Sequence, residues 1–328
     1  MQSVDPAAQP AFSSGRSWLS RDRVVGWSLV FGSAYVCYFS LLYIGTQASW
    51  YPLGAAMDFT IDPPFRHRIL FVVLANAIHS VFPTFSDVRV YFLAQLPVVV
   101  ATFIVIRPWA RRFVPGPWAN LAPPLLAFTL IPSFAYWTFY DIGIVFFFTL
   151  APILLVSRRR LAYTVVLAIG TLNHEITLLL IPLSIAIAWR DPALRRGLWL
   201  WVLIQLAVYA GVRALLFTMV PVDAVHAGFK VEWNLLLPFR SPSAFLMMAI
   251  AVGSWLVPAY FGLRHAPSVL RRCVVLLPLL LLEILVLGQF NEVRHFDPFM
   301  PIAVPLVLLA VRGDGMSKVD DVHPDEVR

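Results

Sequence analysis

Polar positions are scarce along this chain and fall in clumps, with unbroken apolar runs between them. The runs occupy residues 24–46, 90–106, 118–136, 142–156, 161–172, 176–189, 197–220, 243–263, 274–290 and 298–311. They are continuous, without the two-residue alternation of a transmembrane β-barrel, so a barrel is excluded. A bilayer core is crossed by about 20 apolar residues rising about 1.5 Å each, which these runs approach or exceed. The pattern predicts an all-α polytopic membrane protein with about ten transmembrane helices. An eleventh stretch, 67–82, is amphipathic: Arg68, Asn76, His79 and Ser80 project within a sector of about 120°, and the rest is mostly apolar. It predicts an interfacial helix in the first outer loop, lying on the membrane surface or half-buried on the bundle. The domain plan is a polar N-terminal tail 1–23, a transmembrane domain 24–311 with an outer loop 47–89, and a polar C-terminal tail 312–328. Runs 161–172 and 176–189 are short, and Pro123, Pro124, Pro132 and Pro152 interrupt others. Short and broken helices of this kind line a cavity rather than face lipid.

Composition agrees. Apolar residues make up 59% of the 328 and charged residues 13%, against about 25% charged in soluble proteins. A soluble enzyme, a disordered tail, a DNA-binding domain and a disulfide scaffold are excluded. Cys37 and Cys273 lie in or beside apolar runs and form no metal or redox motif. The first run is too long for the apolar core of a signal peptide and has no small-residue cleavage site, so it reads as a retained span.

The net charge of +7 is explained by where the arginines fall, and nucleic acid is not needed as a partner. Five clusters stand out: Arg16/Arg21/Arg23, Arg107/Arg111/Arg112, Arg158/Arg159/Arg160, Arg190/Arg195/Arg196 and Arg264/Arg271/Arg272. All five share one side of the membrane only if 67–82 does not cross. The positive-inside rule then sets that side and both termini in the cytoplasm. The outer segments still hold basic groups that topology does not require, together with His67, His79, His174, His226 and His295.

Four outer segments gather the candidate chemistry. The loop after the first run holds Asp58, Asp62, Arg66, His67 and Arg68; the second segment carries Asp141 at a span end. The third holds His174 and Glu175 between two short runs, and the fourth holds Glu292, Arg294, His295 and Asp297. Arg240 is a lesser candidate and reads more readily as an interfacial anchor. Carboxylates able to deprotonate a hydroxyl, beside arginines able to grip a phosphate with two hydrogen bonds, suit phosphate-linked chemistry. His174-Glu175 opens like a zinc-protease motif, but Leu178 stands where its second histidine belongs, so no metal site is assigned there. Nucleotide-binding loops and a serine-nucleophile elbow are absent from the sequence.

These features, in this order, resemble the GT-C superfamily of polytopic glycosyltransferases, which use polyprenyl-phosphate sugars. The likeness lies in one span, a long outer loop with an acid, and the string from Asp62 through Phe65-Arg66-His67-Arg68 to Leu70. It continues with an outer Asp in Phe139-Tyr140-Asp141 and an acid after a short span in His174-Glu175. It covers residues 20–190, with a looser echo at Asn291–Pro301. The resemblance implies a bacterial inner-membrane enzyme whose site faces the periplasm or outside. It would transfer a sugar from a polyprenyl-phosphate donor to a lipid or glycan acceptor among membrane lipids. Asp58 or Asp62 would be the general base. The residues around donor and phosphate would be Arg66, His67, Arg68, Asp141, His174, Glu175, Arg240, Glu292, Arg294 and His295. No firm cofactor is implied, although two loop acids could hold Mg²⁺ or Mn²⁺ against phosphate oxygens. The alternatives are a lipid or sugar transporter or flippase, for which an internal repeat is lacking, and a non-catalytic subunit of a polysaccharide assembly complex.

Overall fold

The computed structural model describes residues 21–47, 53–61, 65–135, 140–219 and 229–313; Asp62, His226 and most of both polar tails lie outside the described residues. Every regular element among them is helical. The longer helices are α1 (Arg21–Gln47), α2 (Leu70–Val81), α3 (Asp87–Arg111), α4 (Ala122–Leu130), α5 (Asp141–Val156) and α6 (Arg160–Asn173). They continue with α7 (Leu180–Ala188), α8 (Leu198–Met219), α9 (Val231–Arg240), α10 (Pro242–Gly262), α11 (Leu276–Val286) and α12 (Met300–Arg312). Five stretches are long and apolar enough to cross a membrane: Arg21–Ile44, Asp87–Arg111, Leu198–Met219, Pro242–His265 and Val293–Arg312. Four shorter apolar helices accompany them. The architecture is that of an all-α membrane protein.

Burial sorts these helices into inner and outer ones. Of the apolar stretch that ends in α12, 78% is buried, against 17% for α10 and 22% for α8. So α12 is the central post, while α8 and α10 turn apolar faces such as Leu203, Met247 and Ile250 outward. An apolar surface of that extent is compatible with lipid, not water.

Specific contacts fix the central post. Pro305 has no N–H to offer the Pro301 carbonyl one turn back, and the indole N–H of Trp109 on α3 donates to that carbonyl at 2.9 Å. Gly262 lets α10 cross α12 backbone to backbone. A Cβ there would overlap the Leu306 carbonyl oxygen and stand 2.7 Å from its carbonyl carbon. Asn234 on α9 donates to the carbonyls of Ile284 (2.8 Å), Leu285 (3.0 Å) and Gly288 (3.0 Å), and accepts from Phe290 N–H at 2.9 Å. One amide thus satisfies the open end of α11 and sets the direction of the segment that follows.

Helix ends carrying the arginine clusters are tied to one another. Arg107 donates to Asn120 (2.8 Å), whose amide reaches the Asp22 carbonyl (3.5 Å). Arg112 donates to Ser157 (3.0 Å), Arg158 meets Asp191 (3.6 Å), and Arg160 donates to the Leu194 carbonyl. Arg272 donates to the Ile187 carbonyl (3.3 Å). These contacts define a basic end of the bundle. Helix α2, with 12 residues, is about 18 Å long, well short of a bilayer core. Arg68, just before α2, meets the non-basic ends of other helices, and after α2 the chain enters α3 from that same end.

The observed elements depart from the apolar pattern in three places. Run 118–136 divides into a turn Gly116–Ala119, α4, and a 3-10 segment Ile131–Ala135, with Pro123 near the start of α4. Run 274–290 is helical only over α11, with a turn at 274–275 separating it from the short helix Ser268–Cys273 and no helix after Val286. Helix α9 was not expected at all, because its Glu, Asn, Pro and Arg hide its helical period.

Candidate functional site

Opposite the basic end, four chain segments stop at one level. The first is the start of α5. The amide of Asn173 on α6 donates to the Tyr140 carbonyl (2.9 Å), and Gly143 leaves room for that amide, which a Cβ would meet at 2.8 Å. The second is the break between α6 and the Glu175–Leu179 segment. His174 is extended there (φ −163°, ψ 140°), and its Nδ1 accepts the Ile176 N–H at 3.1 Å. Thr177 donates to the His174 carbonyl (2.8 Å) and pairs with Thr171 (3.1 Å). From α8, the Tyr209 hydroxyl donates to the Glu175 carbonyl at 3.0 Å. The third segment is Arg68, ahead of α2. The fourth is the 3-10 stretch Val293–Phe299 leading into α12.

The side chains of these segments form one network. The Arg68 guanidinium donates from Nη2 to Glu175 Oε1 at 2.6 Å and from Nε to Oε2 at 3.3 Å. Its Nη1 donates to the Tyr140 hydroxyl, and the guanidinium lies over the Tyr140 ring, 4.4 Å from the centroid. Arg294 donates to the same hydroxyl from Nη1 at 3.3 Å. It also donates to Glu292 Oε2 from Nε (2.9 Å) and Nη2 (2.6 Å). His295 Nε2 lies 3.3 Å from the same Glu292 oxygen. Burial pushes the Glu292 carboxyl up, but the His295 hydrogen bond and the Arg294 charge outweigh it and hold it at about 2. His174 Nδ1 is 3.8 Å from Glu175, but that nitrogen accepts a backbone N–H, so the pair is a contact rather than an ion pair.

Two further acids lie deeper. Asp141 is 4% exposed and sits 3.6 Å from Arg294 Nη1 through Oδ2, an oxygen with no hydrogen-bond partner among the described residues. Asp297 is 1% exposed. It accepts from Ser133 at 3.3 Å, and its Oδ1 is likewise unpartnered among the described residues. Buried carboxylate oxygens without donors are costly, and retaining them in a site is a mark of chemistry rather than packing.

The network is recessed. Helices α3 and α5 meet at their basic ends through Arg112 and Ser157. With 25 and 16 residues, they reach about 37 Å and about 24 Å from there, which leaves Asp141 about 13 Å short of the far end of α3.

Of the residues singled out from the sequence, the structure brings together Arg68, Asp141, His174, Glu175, Glu292, Arg294 and His295. Asp58 is exposed on the turn after Leu53–Met57 and makes no ion pair among the described residues. Asp62 lies outside the described residues. Arg66 donates back to its own loop, to the Ile61 carbonyl (2.7 Å) and the Thr60 carbonyl (3.4 Å). His67 is buried with its ring edge-on to Phe217, 4.6 Å between centroids. Arg240 pairs with Glu232 at 3.2 Å on the exposed face of α9, away from the network. Sequence reasoning passed over Tyr140, the hinge of the whole network, and gave Asp297 no role. Their signals were present: a tyrosine beside the outer Asp141, and an acid inside an apolar entry to α12. Among the described residues no cluster of three or more His, Cys, Asp or Glu side chains could hold a metal ion.

No family model matches the chain, and no curated protein or solved structure matches it.

Proposed function

We propose that this chain is an integral membrane glycosyltransferase. It takes a sugar from a polyprenyl-phosphate carrier and passes it to a lipid or glycan acceptor at the end of the bundle opposite the arginine clusters. The observation that carries this reading is the convergence of Arg68 and Arg294 on one tyrosine hydroxyl, ringed by carboxylates, in a recess of an apolar helical bundle. The resemblance to the GT-C superfamily points the same way. The proposal carries with it a finer topology: about ten spans, α2 resting at the outer interface, and both termini in the cytoplasm of a bacterial inner membrane.

In this reaction the acceptor oxygen bonds to the sugar's anomeric carbon as the bond from that carbon to phosphate oxygen breaks. The acceptor proton goes to a carboxylate, and the polyprenyl phosphate leaves as an anion held by guanidinium donors. The arginines already face carboxylates, so the phosphate must displace one. Glu175 is the exchangeable partner: its side chain is 32% exposed, against 15% for Glu292 and 4% for Asp141. Glu175 turning outward frees the two-toothed face of Arg68 for phosphate. Asp141, beside Arg294 and with an unpartnered oxygen, is the acid of the network best able to take the proton. Asp58 and Asp62 hold that role in the resemblance, and Mg²⁺ or Mn²⁺ between them would add charge to the phosphate side.

Purified protein in liposomes, supplied with a polyprenyl-phosphate sugar and candidate acceptors, tests the reading. A new glycosidic product that disappears in Arg294→Gln is the expected result. Passage of the carrier across the bilayer chemically unchanged, with no product, would replace the transferase by a transporter.

A further inference from the structure

A cavity lies at the other end of the bundle. It measures about 480 Å³ and adjoins a second of about 350 Å³, the two sharing Trp189 and Arg190. Arg271, Arg272 and Ser268 line the first, Arg195 lines the second, and Ile185 on α7 gives the first an aliphatic wall. Drug-sized ligand sites fall in the same range, about 300–1,000 Å³.

Basic groups at this end are required by topology alone, so their number proves nothing. Their state is what stands out. Topogenic arginines are ordinarily free to sweep through solvent, whereas three of these four are anchored. Arg271 donates to the Ala266 carbonyl (2.6 Å) and the Arg264 carbonyl (3.5 Å). Arg272 donates to the Ile187 carbonyl (3.3 Å). Arg195 lies over the Trp189 ring, 5.3 Å from its centroid, and Trp189 is braced edge-on by Trp199 at 6.0 Å. Backbone carbonyls hold the Arg271 and Arg272 guanidiniums, and an indole ring that of Arg195, without neutralising them. The acid in this stretch of chain, Asp191, is occupied: it caps Ala193 N–H (2.9 Å) and Leu194 N–H (3.3 Å) and meets Arg158 (3.6 Å). None of the four arginines lining the two cavities makes an ion pair among the described residues. Four cations, three of them fixed in advance and none paired with an acid among the described residues, form a site for an anion with several oxygens. The aliphatic wall and the exposed tryptophans at the same level call for an apolar tail below that anion.

We infer that this groove binds the phosphate-bearing headgroup of an anionic lipid, with the acyl chains running along α7. The inference does not depend on the transferase reading, because it concerns the opposite end of the bundle.

The test is native mass spectrometry of the full chain released from nanodiscs of phosphatidylcholine with and without phosphatidylglycerol. Selective retention of phosphatidylglycerol is expected. In Arg190→Gln/Arg271→Gln retention should fall at least about tenfold, the least that losing two charge-assisted contacts implies. Arg159→Gln/Arg196→Gln, at the same end but outside the groove, should retain lipid as the parent does. Thermal unfolding in pure phosphatidylcholine reads folding separately. If the double variant is misfolded there, Arg190→Gln alone decides, since Arg190 makes no hydrogen bond or ion pair among the described residues. Equal retention of both lipids, or equal loss in both double variants, would overturn the site. Displacement of the lipid by inorganic phosphate alone would overturn the lipid assignment and leave a free-phosphate site.

Discussion

Removing the Arg68–Glu175 pair one partner at a time measures whether the network is a coupled unit. Arg68→Gln loses a two-bond contact at 2.6 and 3.3 Å, the bond to Tyr140, and the stacking over its ring. Leaving one partner of a fully buried pair unmatched costs about 3–5 kcal/mol, while an exposed pair is worth about 0–1 kcal/mol. Here Arg68 is 7% exposed and Glu175 32%, so the loss lies between, at about 3 kcal/mol with the Tyr140 contacts included. Glu175→Gln keeps an acceptor but leaves Arg68 without its counter-charge, at about 2 kcal/mol. With both changed, no unmatched charge remains, and the double variant should lose about 3 kcal/mol in all. The coupling energy is then about 2 kcal/mol. Reversible unfolding in mixed detergent micelles, followed by tryptophan fluorescence across the four proteins, reads it directly. Additive losses, with coupling below about 0.5 kcal/mol, would mean that the two groups do not act on each other, and the phosphate-exchange reasoning built on Glu175 would fall with them.

The remaining predictions concern packing, pH and turnover. Gly253 and Gly262 lie on the same helix, α10, yet a Cβ at Gly253 meets nothing within 4 Å, while one at Gly262 overlaps a backbone carbonyl of α12. Alanine should stabilise at Gly253 by up to about 1 kcal/mol through helix propensity. At Gly262 that gain is outweighed by a clash that backbone cannot relieve, with a net loss of about 1–3 kcal/mol; equal effects at the two sites would contradict the close crossing. Glu292, held at about 2 against an ordinary 4.5, contributes about 3 kcal/mol that is fully present above pH 4.5 and fades as pH falls towards 2. Unfolding temperature should therefore drop between pH 5 and pH 2.5, more steeply in the parent than in Glu292→Gln, and parallel curves would rule out the ion pair as its source. Asp141→Asn should lower turnover by about 10²–10⁴-fold with lipid-donor retention little changed; a loss confined to Asp58→Asn would return the base to the first outer loop.

The sequence by itself determined the solvent and the class of fold. Transfer of apolar groups from water is nearly additive along a chain, so runs such as 90–106 and 197–220 declare themselves without reference to any neighbour. The grouping of arginines into five clusters was equally local, but that Arg107, Arg112, Arg158, Arg160 and Arg272 tie their helix ends to one another came from the packing. Much of the candidate site was legible for the same reason: a charged residue at the edge of an apolar run is conspicuous, and Arg68, Asp141, Glu175, Glu292 and Arg294 were all read that way. Partnership was not legible. Arg66 and Arg68 are two residues apart with identical chemistry, yet Arg66 closes its own loop while Arg68 reaches Glu175. Only the way α2, α5 and the Glu175–Leu179 segment end at one level separates them. Asn234 carries no sequence signal of its importance, and Tyr140 carries only its place beside Asp141, because an amide that closes α11 and a hydroxyl that joins two arginines act through groups distant in the chain. Hydrophobic pattern is a property of each segment and survives without the fold; hydrogen bonds and ion pairs are short-ranged and directional, so which ones form was decided only when the helices packed.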